Sequence, residues 1–156
     1  MAKNDKGKII PKNLRKLKDE SYGVIKPDGE IIVNWDLLYE NPYVDDYGFD
    51  TRHREVRGKY KITVILPQGM ELIRYGAETG HFTAPRGTDY EELSLPYMRD
   101  SMEYHQYRVI ADGVKVTCYV ERGRVAPGFG SPGGGVQFYH SKNIAQCIRY
   151  KEIERI

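Results

Sequence analysis

Apolar and polar positions alternate along most of this chain, and the alternation predicts strands. In "KYKITVIL", Tyr60, Ile62, Val64 and Leu66 fall on one side while Lys59, Lys61 and Thr63 fall on the other, the period of a half-buried strand. "YHQYRVI" puts His105, Tyr107 and Val109 together, and "VKVTCYVE" does the same for Val114, Val116, Cys118 and Val120. Between these two runs Asp112-Gly113 reads as a hairpin turn. "YGVIKPDGEIIVNW" reads as another hairpin, with β-branched runs on both sides of Pro27-Asp28-Gly29. "MELIRYG" is a strand ended by Pro67-Gln68-Gly69 on its N-terminal side, and one of its faces reads Met70, Leu72, Arg74. An arginine therefore ends an apolar face, which is either the point where the strand meets solvent or a cation placed for a purpose.

The remaining segments are less regular. "YENPYVDDYGFD" is a polar, aromatic loop, and its acidic pair Asp45-Asp46 reads as solvated rather than metal-binding. "GHFTAPRGTDYEELSLP" is loop with a short extended piece at His81–Ala84. "GVQFYH" is expected to be the last strand, and Ile144 and Ile148 in "NIAQCIRYKEI" stand at helical spacing. Residues 1–20 are Lys-rich and poor in large apolar side chains, so they read as a flexible lead or a short helix over Asn13–Asp19, such as the cut end of a longer protein would carry. Residues 21–156 then form one domain. The class is α+β, a mostly antiparallel β core built as a small sandwich or half-barrel with few short helices.

The 156 residues suffice for one core, and a formal net charge of +2 does not by itself point to nucleic acid. The basic residues of the first 18 positions are not interleaved with aromatics, so a stacking groove for single strands is not expected either. No apolar run approaches the ~20 residues of a membrane span, and no secretory h-region follows the charged start. Cys118 and Cys147 make no metal-ligand pattern and read as two free, buried thiols, with a single disulfide as the alternative. The 13 tyrosines suit a sheet or a stacking pocket.

Several standard sites are missing: there is no P-loop, no dinucleotide fingerprint opening a βαβ unit, no nucleophile elbow and no His-Glu zinc motif. What stands out is "VAPGFGSPGGGVQFYH", with two prolines and five glycines ahead of a strand that carries Gln137. Prolines fix φ, glycines allow close approach of backbone, and a carboxamide offers a donor and an acceptor together.

Taken in order, "LPQGMELIRYGAETGHFTAPRGTDYEELSLP", "YHQYRVI" and "VAPGFGSPGGGVQF" resemble the TNT domain, the family of the tuberculosis necrotizing toxin. The resemblance runs from about Leu66 to the C-terminus; residues 1–65 match much less clearly. It implies an enzyme that hydrolyses the nicotinamide–ribose bond of NAD or NADP to nicotinamide and ADP-ribose, with the dinucleotide as substrate and no cofactor. It also implies a toxin domain, secreted or delivered as an effector into the cytoplasm of a target cell, with a cognate immunity protein as partner. It carries catalytic roles onto Arg74, Gln137 and His105, and substrate contacts onto Phe82, Tyr75, Gly134, Gly135, Phe129 and Arg86; no metal ligand is implied. The glycine loop is expected to line the pocket and aim Gln137.

Two positions depart from the family. Leu93 stands in "EELSLP" where many members carry a substrate-binding arginine, with Arg86 or Arg99 as stand-ins, and Ile73 replaces the aspartate that often precedes the arginine. Two rival readings follow. An ADP-ribosyltransferase would break the same bond, but the Glu-x-Glu pair such enzymes use is missing, since Glu91 and Glu92 are adjacent. A catalytically weak NAD- or protein-binding variant would accommodate Leu93.

Overall fold

The computed structural model describes residues 2–3, 9–10, 15–54 and 56–156. Seven antiparallel strands make the main sheet, in the order β11-β8-β6-β7-β10-β9-β5. These are β5 (Lys61–Ile65), β6 (Glu71–Tyr75), β7 (Phe82–Pro85), β8 (Tyr104–Val109), β9 (Tyr119–Arg124), β10 (Val136–Tyr139) and β11 (Ile153–Arg155), with the helix α1 (Ile144–Arg149) between the last two. Two small two-stranded sheets precede it: β1 (Ala2–Lys3) with β2 (Ile9–Ile10), and β3 (Gly23–Ile25) with β4 (Ile31–Val33). The architecture is the expected α+β with a sheet-dominated core, and the sheet does not close into a barrel.

The second of these small sheets is the hairpin around Pro27-Asp28-Gly29. Asp28 accepts the Glu30 amide through its side chain, and Gly29 takes the positive φ of 88° that the turn demands. The alternation in β5 and β8 also holds: Leu66, Tyr107 and Val109 are buried, and Thr63 is exposed. Strand β6 lies inside the sheet and is covered on both faces, so Leu72 and its neighbour Ile73 are each 1% exposed. Leu72, Tyr107, Val109 and Phe138 form one core face, sealed by Ile144 and Cys147 of α1; burial of each large side chain contributes about 1.5–3 kcal/mol. The helix itself starts from a capping box, in which Asn143 and Gln146 each accept the other's backbone amide through their side chains. Cys118 and Cys147 are both free and fully buried, and burial pushes each thiol up to about 12. They are core residues, not nucleophiles.

Four expectations change. Asp112-Gly113 is a tight turn, its carboxylate accepting the amides of Val114, Lys115 and Val116, but it joins no hairpin. β8 pairs with β6 and β11, whereas β9 pairs with β10 and β5, so the chain crosses the sheet there. The strand expected from Val114 begins only at Tyr119, and Val114 is 86% exposed. "GVQFYH" is followed by one more strand, β11, which needs α1 to bring it to the far edge. Finally, residues 15–19 of the anticipated lead contain no helix; Leu17 bridges Tyr97 in antiparallel fashion. Positions 13 and 14 lie outside the described residues.

Candidate active site

The face of the sheet opposite α1 floors a cavity of about 390 Å³, within the range of small-molecule sites, about 300–1,000 Å³. Alternation brings Ile73 and Tyr75 from β6, Phe82 and Ala84 from β7, and Gln137 from β10 to it, and Thr83 and Arg74 border it from the other register. Trp35, Leu93 and Tyr97 close it from the loops above.

Arg74 belongs by register to the other face, where it pairs opposite His105, next to Leu72 opposite Tyr107. It reaches the cavity by curling around the end of the sheet. Its Nε donates to the Ala77 carbonyl at 2.9 Å and its Nη1 to the Phe82 carbonyl at 3.0 Å. Gly80 makes room, because a Cβ there would stand 1.9 Å from Nη2. Burial holds the guanidinium below its ordinary range, opposed by the carboxylates of Glu103 and Glu78. Carbonyls therefore orient this cation, and no described carboxylate forms an ion pair with it.

Beneath Arg74 the core face ends in a polar layer. Tyr107 donates to Glu78 at 2.8 Å, and Arg155 holds the same carboxylate at 3.0 Å. Burial raises the Glu78 carboxyl, but those bonds outweigh it and leave it below the usual carboxylate range. His140 is 1% exposed and its Nε2 lies 2.7 Å from the hydroxyl of Thr83, a cavity residue. Burial first, and then the Arg74 charge, push its imidazole down to about 4, so it is neutral near pH 7.

Of the residues singled out from sequence, Arg74, Gln137, Phe82 and Tyr75 line this one cavity. The others stand elsewhere. His105 shares the core-side face with Arg74 and binds Glu103 Oε1 through Nε2 at 3.0 Å, so it lies behind the site. Arg86 ion-pairs with Glu71 on the sheet's surface, and Arg99 is exposed beside Asp100; neither replaces the absent arginine at Leu93. The glycine loop does not line the cavity. Gly135 packs against the Glu92 backbone, and Gly133 packs so closely on Ala126 that a Cβ would stand 2.7 Å from its carbonyl. Gly134 accepts a hydrogen bond from Arg124. Phe129 adopts a φ of 50° and stacks edge-on against Trp35, behind the cavity wall. The loop packs tightly at the head of β10, and the Gln137 carboxamide on that strand donates to the Tyr47 carbonyl at 3.4 Å.

Sequence reasoning missed Arg15, Trp35, Tyr97 and the Thr83–His140 pair. Trp35 alone carried a signal, as the chain's single tryptophan. Asp45, read as solvated, is a loop clamp: it accepts the amides of Tyr47 and Phe49 and pairs with Lys61 at 3.4 Å. Among the described residues no group of three or more His, Cys, Asp or Glu could hold a metal, and no helix is long and apolar enough to cross a membrane.

An oriented guanidinium, a carboxamide and aromatic walls in one pocket suit a ligand that carries both anionic and ring groups. Residues 65–156 match the family model described as tuberculosis necrotizing toxin. The chain belongs to the tuberculosis necrotizing toxin family. Over 117 residues it is 36% identical to the conidial surface nicotinamide adenine dinucleotide glycohydrolase nadA of Aspergillus fumigatus, a match covering 70% of this chain and 46% of that protein. It thus spans about half the length of that curated relative. The structure of tuberculosis necrotizing toxin complexed with its immunity factor superposes with a TM-score of 0.58 at 20% identity, covering 98% of this chain and 75% of that one. That likeness is one of fold, and it takes in the region before residue 65 where the sequence resemblance is faint.

Proposed function

We propose that this necrotizing-toxin-family domain is an NAD glycohydrolase that cleaves the nicotinamide–ribose bond to give nicotinamide and ADP-ribose. The observation that carries the reading is that Arg74 and Gln137, 63 positions apart in the chain, line one cavity with aromatic walls. The relationship to the Aspergillus glycohydrolase supports it.

The chemistry asks little of an acid. The bond between ribose C1′ and the pyridinium nitrogen breaks with its electron pair going to nitrogen, so nicotinamide leaves neutral. Positive charge develops on the ribose as an oxocarbenium-like centre. Water then adds at C1′ and gives up a proton. The protein's task is to hold both ends of the dinucleotide with C1′ open to water. Arg74 binds phosphate charge, Phe82 walls the nicotinamide ring, and the Gln137 carboxamide orients the reacting ribose or the nicotinamide amide. His105 acts from behind, through Glu103. NADP would be taken in the same manner, and the domain would act as a delivered toxin restrained by an immunity protein.

The decisive assay is product analysis with labelled NAD. Free nicotinamide and free ADP-ribose are expected, whereas label carried onto protein or nucleic acid would establish transfer instead. Gln137→Ala should lower kcat/KM by about a hundredfold or more with the fold intact, and wild-type turnover by that variant would remove Gln137 from the mechanism.

A further inference from the structure

A second guanidinium stands in the wall of the cavity. Arg15 lines it alongside Arg74, and it arrives from the strap 15–19 rather than from the sheet. Main chain places it there: the Lys18 amide donates to the Pro96 carbonyl at 2.9 Å, the Met98 amide donates to the Lys16 carbonyl at 2.7 Å, and Leu17 bridges Tyr97 between them. The strap is further tied by Lys18 Nζ, which donates to the Ser131 hydroxyl at 2.6 Å.

The side chain is 19% exposed and incompletely paired. Its Nη2 reaches Glu103 Oε2 at 3.5 Å, and its Cζ lies 5.8 Å from the centre of the Tyr97 ring. Its Nε is buried with no hydrogen-bond partner among the described residues. A buried donor left unsatisfied destabilises the fold, and more so on a charged group. A ligand acceptor would remove that cost. Glu103 does not neutralise the site either, because it is shared with His105 and its charge also acts on Arg74. The described lining of the cavity includes Arg15 and Arg74 and no Asp or Glu. The carboxylates behind the two cations, Glu103 and Glu78, lie outside the described lining and are shared with His105 and Arg155, so the cavity presents two guanidiniums and favours an anion of more than one charge.

We propose that Arg15 is a substrate-binding residue, the second arm of a clamp that with Arg74 grips the diphosphate of the dinucleotide. The proposal rests on reading the cavity as the NAD site. It makes the strap part of the binding site, and it gives the cleft a second cation although Leu93 offers none.

The test uses the full chain, with Arg15→Ala, Arg15→Gln and Arg15→Lys. Two measurements are made on each: nicotinamide release from NAD and from nicotinamide riboside, which has no phosphate, and calorimetric binding of ADP-ribose. Loss of charge should raise KM for NAD and Kd for ADP-ribose about ten- to a hundredfold, leave kcat within about threefold, and leave nicotinamide riboside turnover unchanged. Lysine should restore part of the loss. A KM and a Kd within twofold of wild type in both neutral variants would overturn the proposal, even if their melting temperatures fall, since that pattern marks a purely structural residue. Should Arg15→Ala fail to fold, Arg15→Gln decides. If wild type binds ADP-ribose through Arg15 but releases no nicotinamide from NAD, the clamp stands and the glycohydrolase reading fails. If wild type binds no ADP-ribose, the clamp is overturned.

Discussion

On one face of the seven-stranded sheet, Leu72, Tyr107 and Phe138 are sealed beneath α1. On the other, Ile73, Phe82 and Gln137 floor an open cavity. The same strands build both faces, often from adjacent residues, so the difference lies in what covers them. A helix closes the first face with Ile144 and Cys147, and the polar group that face carries, the Tyr107 hydroxyl, is satisfied by Glu78. The second is roofed by loops and the strap at Arg15, which cannot close-pack as a helix does, and a space bounded by Trp35, Leu93 and Tyr97 remains. Arg74 links the two: it starts on the sealed face and bends around the strand end to finish in the cavity. The sealed face supplies rigidity, and the open face spends it on positioning.

Three experiments would break or sharpen that contrast. The largest effect is expected from Gly80→Ala. The new methyl occupies the place of Arg74 Nη2 and displaces a flexible side-chain end rather than backbone, so the fold should survive. Misplacing the guanidinium should cost about a hundredfold in nicotinamide release. Wild-type turnover with an unshifted melting curve would mean that the position of Arg74 does not matter.

The next effect is on stability and belongs to the seam between the faces. An unfolded histidine takes up its proton near 6.5, whereas His140 does so only at about 4. Between those values the unfolded chain binds more protons, so the stability linked to neutral His140 is fully present above pH 6.5 and is lost as pH falls toward 4. The loss is on the order of 3 kcal/mol. Urea titrations across that window should show it, and His140→Asn should flatten the slope; an unchanged slope in the variant would assign the acid sensitivity to other groups.

The smallest effect is expected at Arg86. It pairs with Glu71 on the exposed side of the sheet, away from the cavity, so Arg86→Ala should leave nicotinamide release within about twofold and stability within about 0.5 kcal/mol. A large loss of activity would return Arg86 to the site and contradict the cavity's boundary.

Much of the sheet was legible because period-two alternation reports a face directly. β5, β6, β8 and β10 lie where the pattern placed them, and α1 follows from Ile144 and Ile148. The pattern failed at Val114, where β-branched residues sit in an exposed crossing, since propensity does not report pairing partners. It failed again at Asp112-Gly113, whose turn chemistry is real but whose flanking strands pair elsewhere. In the site, the resemblance to the necrotizing toxins picked out Arg74, Phe82, Tyr75 and Gln137, which share the cavity. It also picked out Gly134, Gly135 and Phe129, which stabilise the loop behind it.

The order of residues alone determined the class of fold, the oddity of an arginine closing an apolar face, and the special conformation demanded by the glycine loop, because each follows from local geometry and side-chain chemistry. Tertiary structure alone decided that Arg74 turns away from its own face, that the glycine loop packs outside the pocket, and that Arg15 and Trp35 join it. Those outcomes depend on contacts between segments far apart in the chain, such as the strap against residues 96–98, and no local period encodes which distant surface a segment will meet.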